Sequence, residues 1–136
     1  MKRITNIIND ERVIHTQYFG DIDCDFILSA IDEWSDLIVE NKNISHLIFD
    51  YTNANMDKLS KEDIMAIAKA TPKLIEVRES LKMIGVMPKE SDYQVTSVWS
   101  AFTAFTKDAV VPFTNIVISK DLIEAKYIVE LDLEKP

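Results

Sequence analysis

The sequence predicts a single α/β domain: a mixed, mostly parallel sheet of about five strands, opened by an antiparallel hairpin and joined by four helices in the order ββαβαβαβα. Three observations predict it. Short apolar runs alternate with longer segments whose apolar residues recur every three or four positions, the pattern of strands alternating with amphipathic helices. The chain has 136 residues, 47% of them apolar, enough for one core without metal or disulfide staples, so residues 1–136 are read as one domain. Only the first two strands are joined by a tight turn. The later ones are separated by helices and are expected to pair in parallel through right-handed crossovers.

Residues 3–8 and 12–19 read as the hairpin strands, with Asn9, Asp10 and Glu11 between them, because Asn and Asp favour tight turns through local hydrogen bonds. Gly20 is expected to end the second strand. Asp21 or Asp23 then caps a helix whose stripe is Ile27, Ile31, Trp34 and Ile38, widened by Phe26, Ala30 and Leu37, and which ends near residues 41–43. Residues 44–51, with Leu47, Ile48 and Phe49, are apolar enough for a buried central strand. Residues 52–57 follow as an Asn-rich irregular loop. Ser60, with Asp63 three residues on, forms a capping box that opens a second helix through Ile64, Ile67 and Ala68. Pro72 kinks or breaks this helix, which is expected to reach about Ser80; Thr71 would cap a new start there, since proline is tolerated at a helix's first position.

Residues 81–87 form the next strand, in which Gly85 permits close approach and which Pro88 ends because it cannot donate to a ladder. Ser91 or Asp92 caps a third helix with Val95, Val98, Trp99 and Phe102 in its stripe and Phe105 on the flank. The last strand covers residues 115–119. A final helix begins at Ser119 or Asp121 and turns Leu122, Ala125, Ile128 and Val129 inward, and the last three residues are expected to fray.

The net charge of −8, with lysines scattered among carboxylates, argues against nucleic acid, which demands a clustered basic face. The same charge repels anionic membranes, and no apolar run is long enough to span one, so no integral membrane association is expected. The N-terminus turns polar too early for a signal sequence, and a cytoplasmic location is expected. Cys24 has no partner for a disulfide, and its neighbours Asp23 and Asp25 should raise the thiol pKa, the opposite of what a reactive cysteine needs.

The chain resembles the SpoIIAA-like domains, which are related to the anti-sigma-factor antagonist and sulfate-transporter (STAS) domains. The residues that carry the likeness are a hairpin leading to Tyr18-Phe19-Gly20-Asp21-Ile22, a strand ending in Phe49-Asp50, Asp57-Lys58-Leu59-Ser60 opening a helix, the strand Met83-Ile84-Gly85-Val86, an aromatic helix, and a last strand leading to Asp121-Leu122-Ile123-Glu124-Ala125. The resemblance implies regulation or binding rather than turnover. Classical antagonists carry a phosphorylatable serine in an Asp-Ser-Ser-Gly segment at the helix start after this strand; here Ser60 falls at about that place, but the segment is absent, which sets the chain nearer the less characterised relatives.

Ser60 is thus a candidate phosphorylation site, set against a plain reading as a helix cap amid Asp57, Glu62 and Asp63, whose charge disfavours a phosphate. Asp50 ends a buried strand, where α/β sheets place ligands, and equally can hold the Asn-rich loop through its amides. His15 and His46 show no metal-ligand spacing, and neither a metal nor a cofactor is expected. With only two glycines a phosphate cradle is all but excluded. Trp99, Phe102, Phe105 and Phe113 form the most aromatic region, either core or an exposed surface for a partner, a lipid-like apolar ligand or a second copy. The leading expectation is a non-catalytic regulatory or binding domain acting through a protein partner or a small apolar ligand. The alternatives are an enzyme using Asp50 with a histidine, for which the two must converge in one cleft, and a self-associating structural module.

Overall fold

The computed structural model describes residues 1–86, 116–119 and 121–134. Among these, β1 (Lys2–Ile8), β2 (Val13–Asp21), β3 (His46–Asn55), β4 (Lys82–Val86) and β5 (Ile116–Ser119) form one sheet in the order β1-β2-β3-β4-β5. The first pair is antiparallel and every other pair parallel. The fold is therefore mixed α/β, with α1 (Cys24–Glu40), α2 (Lys61–Ala70) and α3 (Pro72–Val77) between strands and α4 (Leu122–Glu134) after the last.

Side-chain alternation along the strands divides the interior in two. Ile14, Tyr18, Leu47, Phe49 and Met83 face α1, α2 and α3, and with Ile27, Trp34, Ile38 and Leu74 they make the larger core. Val13, Ile48, Ile84 and Val86 face the other way and pack with Ala125 and Val129 of α4. Each fully buried side chain of this kind contributes roughly 1.5–3 kcal/mol. The edge strand β1 is pinned by Arg3, whose guanidinium donates to the Phe26 carbonyl and to Glu33, both at 3.0 Å, and lies 4.9 Å from the Phe26 ring.

Four expectations need correcting. Gly20 does not end β2: at φ +82° it takes a conformation that side-chain-bearing residues adopt only rarely, and the strand continues to Asp21. Residues 52–57 are not all loop, because β3 runs on to Asn55. A bulge lies between Gln17↔Asp50 and Phe19↔Asn53, so that β3 carries one residue more than β2 there. Its cause is Asp50, whose Oδ1 accepts from the Thr52 amide at 2.9 Å and so draws that amide to itself. The extra residue reverses the alternation, turning Ala54 and Met56 into the larger core and leaving Asn53 and Asn55 exposed.

The helices also differ from the order ββαβαβαβα. Of the two outcomes expected at Pro72 the chain takes the break, so one expected helix becomes α2 and α3, because Pro72 lacks an amide hydrogen and takes the first position of α3. Thr71 does not cap that start with its side chain, its hydroxyl donating back to the Ile67 carbonyl instead. Helix α3 stops at Val77, short of Ser80, and the Arg78 amide returns to the Leu74 carbonyl. The expected third helix, with Trp99, Phe102, Phe105 and Phe113, lies outside the described residues.

Candidate functional site

The carboxyl ends of β2 and β3 gather the residues that the sequence marks out at positions 50–63, where parallel α/β sheets place their sites. Asp23 caps α1 by accepting from the Phe26 amide, and the Ile22 amide donates to the Asn55 carbonyl at 3.1 Å, tying the turn before α1 to the end of β3. Asn55 Oδ1 accepts from the Asp57 amide at 2.9 Å and Lys58 reaches Asp21 at 3.4 Å, so the loop leading into α2 is held at both sides. Cys24 lies between the helices with its Sγ 3.7 Å from the Asp63 carbonyl. Burial, then the charges of Asp63, Asp25 and Asp23, push the thiol pKa up, which makes it a poor nucleophile.

Ser60 completes the capping box: its Oγ accepts from the Asp63 amide at 3.1 Å, and Asp63 Oδ2 accepts from the Ser60 amide at 2.9 Å. The serine is exposed, as a modified residue must be, and its hydroxyl oxygen already serves the helix. Beyond it the outward side of α2 presents Lys61, Glu62, Met65, Ala66 and Lys69 around a shallow groove. Met65 and Ala66 are partly buried there, a small apolar centre with charged margins.

Asp50 is 4% exposed, and its Oδ1 takes both the amide and the hydroxyl of Thr52. His15 shares its sheet face, because His15 pairs with Ile48 and Gln17 with Asp50. The two are not hydrogen-bonded; His15 is 7% exposed and its Nε2 has no partner. Burial lowers the His15 pKa, Lys126 acts in the same sense, and Asp50 opposes both. An unpaired, neutral imidazole beside a carboxylate committed to Thr52 is not an assembled acid–base pair.

His46 lies four residues before Asp50 on β3, about 13 Å away at strand rise. Its Nδ1 is 2.7 Å from Ser45 Oγ and its Nε2 is 3.0 Å from Asp132 Oδ2, to which Lys82 also donates at 2.8 Å. The Lys82 hydrogen bond, followed by His46 and against the effect of burial, holds the Asp132 carboxyl below the usual carboxylate range. The order serine–histidine–aspartate is that of an activated nucleophile. Yet the amides of Ser45 and His46 both donate to the Arg12 carbonyl and that of Lys82 to the Ser45 carbonyl, so none of these amides is left for a developing oxyanion. The network instead ties α4 to β3 and β4. Sequence reading missed it because Asp132 stands 86 positions from His46.

Between α1, α2 and the sheet, Trp34, Phe49, Tyr51, Met56, Ile64 and Met83 are among the residues lining a cavity of about 30 Å³. That is close to the space of one or two water molecules and far below what a lipid chain fills. Among the described residues no three His, Cys, Asp or Glu side chains group to hold a metal ion, and no helix is long and apolar enough to cross a membrane.

No family model matches the sequence, and no curated protein matches it. Among solved structures, that of the anti-sigma factor antagonist SpoIIAA in its unphosphorylated form is similar over 99% of this chain and 100% of that one, with a TM-score of 0.62 and 9% sequence identity. The hairpin, the parallel strands that follow it and the helix opened by Ser60 thus compose a SpoIIAA-like fold.

Proposed function

We propose that this chain is a non-catalytic regulatory domain that works by binding a protein partner, and that the partner sits on the outward side of α2 and the loop before it. The carrying observation is the extent of the likeness: two chains of nearly equal span share one fold, and the other is an anti-sigma factor antagonist, a protein that acts on another protein. Ser60, exposed at the start of the helix after β3, stands about where classical antagonists carry their serine. The groove of α2, with Met65 and Ala66 between charged margins, has the apolar centre and polar rim of a modest interface. Because the Asp-Ser-Ser-Gly segment is absent and Ser60 Oγ serves its cap, binding here does not rely on phosphate at Ser60.

Catalysis by Asp50 with a histidine has less support, since His15 is unbonded and His46 is engaged at the other end of the strand. The test is affinity capture from the native host with the intact chain and with Ala66→Arg, both checked for equal melting temperature. The expected result is a protein retained by the first and lost by the second. Identical retention by both, or none by either, would overturn the reading.

A further inference from the structure

The C-terminal helix α4 is apolar on two sides. Ala125 and Val129 are buried against the sheet, with Leu122, Ile128 and Leu133 beside them. On the outward side Ile123 is 82% exposed, Tyr127 59% and Leu131 44%. These three are spaced by four, so they stand in one line along the helix, about 12 Å from first to last. Single exposed apolar residues are ordinary, but a continuous line of a β-branched, an aromatic and a leucine side chain is the pattern of a helix that packs on both sides. The inward side packs on the sheet, and Asp132 accepts from Lys82 and is hydrogen-bonded to His46.

The geometry points to this line as a docking site for an amphipathic helix of a protein partner, whose apolar stripe is flanked by lysine or arginine. The charge beside the line selects the occupant. Among the described residues of the helix, Glu124, Glu130 and Glu134 are exposed along it against the one ammonium of Lys126, in a chain of net charge −8. A second copy is a poor occupant: it would bring its own Glu124, Glu130 and Glu134 to a line already flanked by the same three carboxylates and one lysine. A basic-flanked helix places opposite charges there and offers the three- and four-residue anchor spacing that a straight apolar line accepts. The site lies across the sheet from α2 and does not depend on the partner proposed there.

The probe is a synthetic amphipathic peptide of leucine and lysine, labelled for fluorescence anisotropy and titrated with the full chain at about 0.15 M salt, where distant charges are screened. Its leucine–glutamate counterpart and the variant Ile123→Ser/Leu131→Ser are measured alongside. The substituted side chains are exposed, so the variant should melt with the parent. The leucine–lysine peptide is expected to bind the parent chain at least about tenfold tighter than the variant, because two large apolar anchors are lost, and the leucine–glutamate peptide is expected not to bind. Equal affinity for parent and variant would show charge attraction alone and overturn the proposal. So would no binding at all, or concentration-dependent dimerisation of the parent that the variant abolishes, which would make a second copy the occupant.

Discussion

Asp50 shows how much one side chain can decide. By taking the Thr52 amide it creates the bulge that turns Ala54 and Met56 inward, and so closes the end of the larger core. His15 is the opposite case, a polar residue buried with its Nε2 unpaired. Its native pKa lies below the ordinary value of about 6.5, whereas the unfolded chain takes up its proton near that value. Between those two points the unfolded state binds more protons, so the stability this residue allows is intact above about pH 6.5 and falls as pH drops toward the native pKa. Replacing His15 with Leu should therefore gain on the parent as pH is lowered from about 7.5 to 5.5, measured by urea unfolding. Parallel stability curves for the two proteins would refute it.

At the level of elements, the helices end by different means. Asp23 and Ser60 cap α1 and α2 with their own side chains, each accepting from an amide three residues on; the Ser60 cap was legible in the sequence, whereas the structure chose Asp23 over Asp21. The C-terminus of α1 carries no basic residue of its own. Arg78 supplies the charge from beyond α3, donating to the carbonyls of Ile38, Asn41 and Ile44. Charge-assisted bonds of this kind outweigh a neutral cap. Ser60→Ala should cost about 1 kcal/mol in urea unfolding, Ser60→Asp much less because aspartate also caps, and Arg78→Ala about 2–4 kcal/mol because three carbonyls lose their partner. An Arg78→Ala loss no greater than that of Ser60→Ala would show that water replaces the guanidinium at no cost.

For the whole molecule, the strand order follows the chain order, and β3 lies in the middle with a paired neighbour on each side and both faces covered. Opening it requires disrupting both cores, whereas β1 is an edge strand with one neighbour. Native-state hydrogen exchange should find the amides of Leu47, Ile48 and Phe49 slowest, exchanging only on global unfolding, and those of β1 faster by an order of magnitude or more. Slower exchange in β1 than in β3 would contradict this layering of stability.

The sequence by itself determined the α/β alternation, the hairpin and the Ser60 cap, and narrowed the α1 cap to Asp21 or Asp23 and Pro72 to a kink or a break, because each rests on residues within a few positions of one another or on a periodicity that burial imposes. The alternation of Ala54 and Met56 with Asn53, Asn55 and Asp57 was a local strand signal as well, masked by the turn-forming character of asparagine. Only the tertiary structure decided the rest. Ser45, His46, Lys82 and Asp132 meet because a helix crosses two strands, and Arg78 meets the end of α1 through a turn more than thirty residues on. The inward side of α4 was legible as well, since Leu122, Ala125, Ile128 and Val129 are the residues at the sheet. That Ile123, Tyr127 and Leu131 stand exposed was decided by the tertiary structure, because local periodicity does not say whether another element covers a second apolar line.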